Sequence, residues 1–312
     1  MSRSLLITGA SGFVGGALAR HFSAEGASVR GLARSDHAAA SLERLGLRPV
    51  RGDLEADLAP VIEAALQADV TIHAAQVAFE REPFVLQALC EALAGSGKAL
   101  IFLSGSGVFM QRTQGAWSSD TFAEHDAFVP EPLALHRVVA ENIVRAAGDK
   151  GLRAMVIRPP VIWGPGDNGP VASIYRSVGL TGSACYIGEG LAAYSNVHVD
   201  DLCRLFALAI EKGTPGAVYH AAGGEIPYRW IAQAVAGDLG VPTRSLSMDE
   251  AGEVFGPFGA LLQSANSRSR DPRTRMELGW RPEHTDLLSQ IGEPRLRALA
   301  AHSPLETTHD NA

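Results

Sequence analysis

Gly9, Gly12 and Gly15 recur at three-residue intervals in Thr8-Gly9-Ala10-Ser11-Gly12-Phe13-Val14-Gly15, and that spacing carries a specific chemistry. At the end of a strand, the first glycine permits a tight turn. The second lets backbone amides approach a pyrophosphate, and the third lets the following helix pack closely on the sheet. Free amides and roughly half a positive charge at the helix start then favour the phosphates of a dinucleotide. Other constellations are weaker. Ser104-Gly105-Ser106-Gly107 approaches a Gly-x-Ser-x-Gly nucleophile elbow, but the position two before Ser106 is Ser104, so serine hydrolysis is disfavoured. None of the ten histidines shows ligand spacing, and no metal is expected. Glu80-Arg81-Glu82 reads as a solvated helix start.

The elements that must position these residues alternate between short β-rich runs and longer helical ones, the pattern of an α/β protein with a doubly wound parallel sheet (Rossmann). Strands are expected at Leu5–Thr8, Ser28–Ala33, Arg48–Asp53, Val70–Ala74, Leu100–Ser104 and Arg153–Arg158. Helices are expected at Phe13–Ala24, Ala38–Leu45, Leu58–Ala65, Pro83–Ala94 and Pro132–Ala147. Ligands in such folds sit at the carboxyl ends of the strands, where Gly9, Ala33, Asp53, Ala74 and Ser104 fall. The Gly/Pro-dense stretch Pro159 to Gly169 reads as loop. A smaller mixed C-terminal region follows, with helical runs at Val171–Val178, Asp201–Glu211 and Trp230–Asp238 and a short strand at Ala217–Ala221. The expected division is a dinucleotide-binding domain over 1–165, with later segments able to return to its sheet, a substrate region over 166–301 and a disordered tail over 302–312.

Composition bounds the rest. With 312 residues, 46% hydrophobic, 20% charged and a formal charge of −7, the chain can hold a real core and has no basic excess to recruit nucleic acid or an anionic membrane. Cys90, Cys185 and Cys203 are odd in number and lack metal spacing, which suits packing residues with reduced thiols. The first strand begins at once, leaving no room for a signal peptide, and no apolar run reaches about 18 residues. The expected location is the cytoplasm.

The residues resemble the extended branch of the short-chain dehydrogenase/reductase superfamily, which includes nucleotide-sugar epimerases and dehydratases. The landmarks run from Leu5 to Pro282: the Thr8–Gly15 loop, Gly52-Asp53-Leu54, His73-Ala74-Ala75, Ala140-Glu141, Arg158-Pro159-Pro160 through Gly164-Pro165-Gly166-Asp167, Val197-His198-Val199-Asp200-Asp201 and Leu278-Gly279-Trp280-Arg281-Pro282. The resemblance implies a bound NAD(P). It places Gly9, Ser11, Gly12, Phe13, Val14 and Gly15 at the pyrophosphate, Asp53 and Leu54 at the adenine, Ala74 and Ala75 on the ribose side, and Pro159 at the cofactor. Where an acidic residue after the second strand would hold the 2′-hydroxyl of NAD, this chain has Ala33-Arg34-Ser35. A guanidinium suits a 2′-phosphate, so NADP is favoured and NAD is the alternative; Arg34 covering the adenine face as a surface residue is the plain reading.

The catalytic set implied by the resemblance is altered. Members use a Tyr-x-x-x-Lys pair as acid/base and ribose anchor, with a Ser or Thr after the fifth strand. Here the tyrosine position holds Leu133, the lysine position Arg137 and the serine position Gly105, flanked by Ser104 and Ser106. Arg137 suits anchoring but is a poor proton source. Substitute donors are Tyr186 and Tyr194, then Tyr175, His136 and His198. Tyr194 also stands where nucleotide-sugar enzymes carry a diphosphate-gripping Arg, which points to a small, less charged substrate. The expected function is hydride transfer between nicotinamide and a small carbonyl or alcohol. The alternatives are a non-catalytic NADP-binding regulator or partner protein, and a nucleotide-sugar epimerase or dehydratase. A homodimer is expected through the helices at Pro83–Ala94 and Pro132–Ala147.

Overall fold

Strand β1 (Ser4–Thr8) is apolar because both its faces are covered, and it delivers the chain into α1 (Phe13–Ala24) through a turn only glycine can make. Gly9 has φ +76°, and a Cβ on Gly15 would lie 2.1 Å from the Gly9 carbonyl oxygen, so helix and turn touch backbone to backbone. The computed structural model describes residues 3–301; the tail expected over 302–312 lies outside them.

The chain continues through β2 (Ser28–Ala33), α2 (Asp36–Arg44), β3 (Arg48–Arg51), α3 (Ala59–Gln67), β4 (Val70–His73), α4 (Glu82–Leu93) and β5 (Ala99–Leu103). After the two-residue β6 (Gln111–Arg112) come α5 (Leu135–Ala147) and β7 (Arg153–Arg158). Then follow β8 (Val161–Trp163), α6 (Pro170–Thr181), β9 (Ala184–Ile187), β10 (Ala193–His198), α7 (Val199–Lys212), β11 (Val218–His220) and β12 (Gly224–Pro227). The last are α8 (Tyr228–Leu239), β13 (Thr243–Leu246), α9 (Met248–Ser264), β14 (Ala265–Asn266) and α10 (Pro294–Ala300).

Seven strands form one parallel sheet in the order β11-β7-β5-β4-β1-β2-β3. The order reverses beside β1, which opens a crevice at the strand carboxyl ends. One face buries Leu5, Ile7 and Ile101 under α1 and α7; the other buries Leu6, Leu100 and Phe102 under α3, α4 and α5. A third core, around Tyr175, Ile231 and Val235, joins α6, α8, α9 and α10. No helix among the described residues is long and apolar enough to cross a membrane. All three cysteines are buried and free, and burial pushes the thiols of Cys90 and Cys203 up to about 12.

Two local expectations need correction. The stretch expected as loop after Arg158 contains β8, which pairs with β10; its Pro and Gly neighbours masked a β-branched and aromatic triplet whose partner lies over thirty residues on. The strand near residue 218 joins the large sheet beside β7, and α7 packs on α1. The helix expected from Pro132 begins as a 3-10 turn over Pro132–Ala134, because Pro132 suits only a helix start. Leu133 therefore sits in that turn, exposed.

Candidate functional site

The crevice is knitted together by Thr8. Its Oγ1 accepts from the amides of Ala74 and Ala75 (both 3.2 Å) and shares a 3.1 Å bond with His73 Nδ1. With both amides as donors to it, the hydroxyl proton points to Nδ1, which puts the imidazole proton on Nε2. That atom is buried without a partner, and burial, with Arg137 nearby, pushes the His73 pKa down to about 4. Gly9 lies against this corner: a Cβ there would come within 2.8 Å of Ala75 Cα.

The residues at the start of α1 fit a dinucleotide. The amides of Phe13, Val14 and Gly15 find no acceptor among the described residues, no side chain caps the helix, and its first turn holds no acidic group. Ser11 and Gly12 are exposed. Three free donors at a helix N-terminus form an anion cradle, and Gly12, with only the Gly9 oxygen 3.3 Å from a Cβ, leaves the approach open.

Farther along the crevice, the Gly52 amide donates to the Ala33 carbonyl (3.3 Å), which sets Asp53 beside the end of β2. Asp53 Oδ1 accepts from the Glu55 amide (2.9 Å), and the Leu54 side chain is buried while its carbonyl accepts from Arg81 Nε (3.0 Å). Arg34 is exposed and makes no hydrogen bond or ion pair with any described residue. Ser35 caps α2, accepting from the Ala38 amide at 3.2 Å. A Ser-Asp pair before a helix is an N-cap signal, so the hydroxyl already has a structural partner.

At the β5 end the two serines part. Ser104 Oγ donates to Glu141 Oε1 (2.5 Å), and the same oxygen accepts from Arg158 Nε (2.8 Å), all three residues being buried. Ser106 is held by its amide to the Pro159 carbonyl (2.9 Å), and its Oγ lies 2.9 Å from Ser267 Oγ. Burial raises the pKa of Tyr194, and the nearby hydroxyls of Ser267 and Ser106 oppose the rise. The phenol is therefore a neutral O–H near neutral pH. Tyr186 is elsewhere: its ring lies over Gly190 and under the Arg229 guanidinium, 5.6 Å from it. Tyr175 donates to Asp238 (2.6 Å), and His136 is exposed on α5.

Arg137, expected as the ribose anchor, is held inside the protein. Nη1 donates to the Leu103 carbonyl (3.3 Å), Nη2 to Glu82 Oε1 (3.0 Å), and the guanidinium stands over the Phe102 ring. Glu82 corrects the reading of Glu80-Arg81-Glu82 as a solvated helix start. Its carboxyl is 1% exposed, Oε2 has no partner, and burial raises its pKa while Arg137 opposes. Nothing local in the sequence signals this, because the partner is fifty-five positions away. Ser267 was equally hidden; the antiparallel pair β6–β14 brings it to Ser106. The structure also gathers His198, Asp200 and His284 within 4.8 Å, a set that spacing could not reveal because His284 is remote in sequence.

Comparison with known proteins adds the following. The model of the NAD dependent epimerase/dehydratase family matches residues 5–222. An uncharacterized protein of Schizosaccharomyces pombe is 33% identical over 297 residues, covering 92% of this chain and 97% of that protein. The 2-alkyl-3-oxoalkanoate reductase of Stenotrophomonas maltophilia is 27% identical and covers 87% of each chain. Among solved structures, the dTDP-glucose 4,6-dehydratase of Streptomyces venezuelae, with NAD and TYD bound, superposes with a TM-score of 0.73 at 22% identity over 95% of each chain.

Proposed function

The chain belongs to the NAD dependent epimerase/dehydratase family, and from that premise we propose that it is an NADP-dependent reductase of a small carbonyl compound and not of a nucleotide sugar. The observation that carries the reading is the buried hydroxyl cluster of Tyr194, Ser106 and Ser267 at the end of β5, a proton-holding group in a site without the usual tyrosine. A nicotinamide cofactor, when bound, supplies the hydride. The amides of Phe13, Val14 and Gly15 hold its pyrophosphate, and Arg34, free of any described partner, takes the 2′-phosphate. Arg137, fixed by Glu82 and Leu103, orients the ribose without giving up a proton. Ser106 gives its hydroxyl proton to the substrate oxygen as the hydride arrives and takes the phenol proton of Tyr194 in exchange; Ser267 holds the serine in place, and the tyrosinate regains a proton from water before the next turnover.

Two facts support the substrate class. Tyr194 fills the position of an anion clamp with a neutral group, and one relative is named for reducing 2-alkyl-3-oxoalkanoates, so apolar 3-oxo compounds, aldehydes and ketones head the screen. A second reading, dinucleotide binding without chemistry, draws on Ser104 and Arg137 already being engaged inside the protein.

NADPH binding followed by fluorescence, then NADPH consumption across those carbonyl classes, separates the two. Tight binding with no turnover on any class sinks the reductase and leaves the binder. Arg34→Ala should weaken NADP about 10- to 100-fold, the worth of a charged hydrogen-bonded contact, and leave NAD little changed. NAD binding tighter than NADP in both proteins would defeat the 2′-phosphate assignment.

A further inference from the structure

We propose that His198, Asp200 and His284 form a binding site for a divalent cation of the zinc class, outside the candidate active site and joining the start of α7 to the loop that carries His284. Tyr194 and His198 lie four positions apart on the extended β10, about 13 Å, so the hydroxyl cluster and this site occupy opposite ends of one strand.

The donor set is built, not merely crowded. The two imidazoles stack with centroids 4.2 Å apart at 25°, and the Trp163 indole meets His198 edge-on at 4.6 Å. His284 Nδ1 lies 3.1 Å from Asp201 Oδ1. Asp201 is fully buried, and its other oxygen accepts from the amides of Glu283 (3.1 Å) and His284 (2.9 Å). A histidine that gives one ring N–H to a fixed carboxylate presents the other nitrogen bare, as metal-bound histidines do. His198 Nδ1 is unprotonated, since it accepts from the Asp200 amide (3.2 Å), and it lies 3.7 Å from Asp200 Oδ2. A cation there would exchange that capping bond for a coordinate one.

The remaining adjustment is small. A tetrahedral site with bonds of about 2.0 Å needs donors about 3.3 Å apart, against a present spread within 4.8 Å. Asp200 and His284 both have exposed side chains, so these two donors have room to close on His198. Among the described residues around the cleft, Asp200, Asp201, Glu283, Asp286 and Glu293 outnumber Arg204 and Arg295, so the field favours a positive ion. Two imidazoles and a carboxylate suit zinc over magnesium or calcium. A cleft of about 480 Å³, lined by Trp163, Gly164, His198 and His284 among others, provides entry and room for a water ligand.

The test is calorimetric titration of zinc into the untagged, metal-stripped full chain, with magnesium as the comparison. One zinc per chain should bind saturably and magnesium should not. His284→Ala and Asp200→Asn should each weaken zinc by about tenfold or more, and Asp200→Asn, at an exposed position, should leave the thermal melt unchanged in the absence of metal. In the wild type, the imidazole resonances of His198 and His284 should shift together at one equivalent. Absence of saturable zinc binding overturns the proposal, as does a zinc affinity that is the same in His284→Ala.

Discussion

Tyr194 has no ionic neighbour to lower its pKa; it meets Ser106 and Ser267, and burial holds its proton on. Replacing it with Phe removes the proton while leaving the ring, so kcat for carbonyl reduction should fall by roughly 10²–10⁴, the usual share of a general acid, with cofactor affinity unchanged; equal kcat in the two proteins would remove Tyr194 from the chemistry. His73 and His220 bear on stability. Both are buried and neutral, with pKa values pushed down to about 4 by burial. An unfolded histidine titrates near 6.5, so between that value and about 4 the unfolded chain binds more protons than the folded one. Stability should therefore be full above pH 6.5 and fall as pH drops toward 4, by on the order of 3 kcal/mol for each histidine. Chemical denaturation at pH 7.5, 5.5 and 4.5 checks this, and a flat profile would contradict it.

At the scale of elements, the β1–α1 turn separates fold from ligand. A Cβ on Gly15 would meet backbone atoms of Gly9 at 2.1 and 2.6 Å, whereas one on Gly12 meets only an oxygen at 3.3 Å. Gly15→Ala should cost about 3 kcal/mol or more, since neither backbone can yield cheaply, and lower Tm by several degrees. Gly12→Ala should leave Tm nearly unchanged and weaken NADPH instead, which paired thermal melts and titrations will distinguish. This contrast also marks what a sequence can convey. The glycine spacing and the apolar runs of β1 to β5 are local signals, and the strands they indicate lie within a residue or two of those observed. Glu82, Ser267 and β8 gain their meaning from partners brought in by the fold, so no window of sequence contains the reason for them. Leu133 and Arg137 show the same limit: their spacing is legible, but the 3-10 turn that holds Leu133 ahead of α5 is a matter of backbone geometry.

For the whole molecule, α4 and α5 lie side by side and leave Phe84, Leu135 and Val139 exposed. We propose that a second copy covers them, as an outward apolar stripe on paired helices is a self-association surface. Light scattering should give a dimer for the wild type and a monomer for the Phe84→Glu, Val139→Glu double variant; a monomeric wild type would exclude this surface. The late arrival of β11 has a consequence of another kind. It covers the edge of β7, yet it is encoded roughly sixty residues farther on, so at ~5–20 residues per second a ribosome holds that edge bare for ~3–12 s. Met155, Val156 and Ile157, fully buried in the finished protein, then form an open template for strand pairing. A chain ending at residue 165, which lacks β11, should therefore collect in the insoluble fraction.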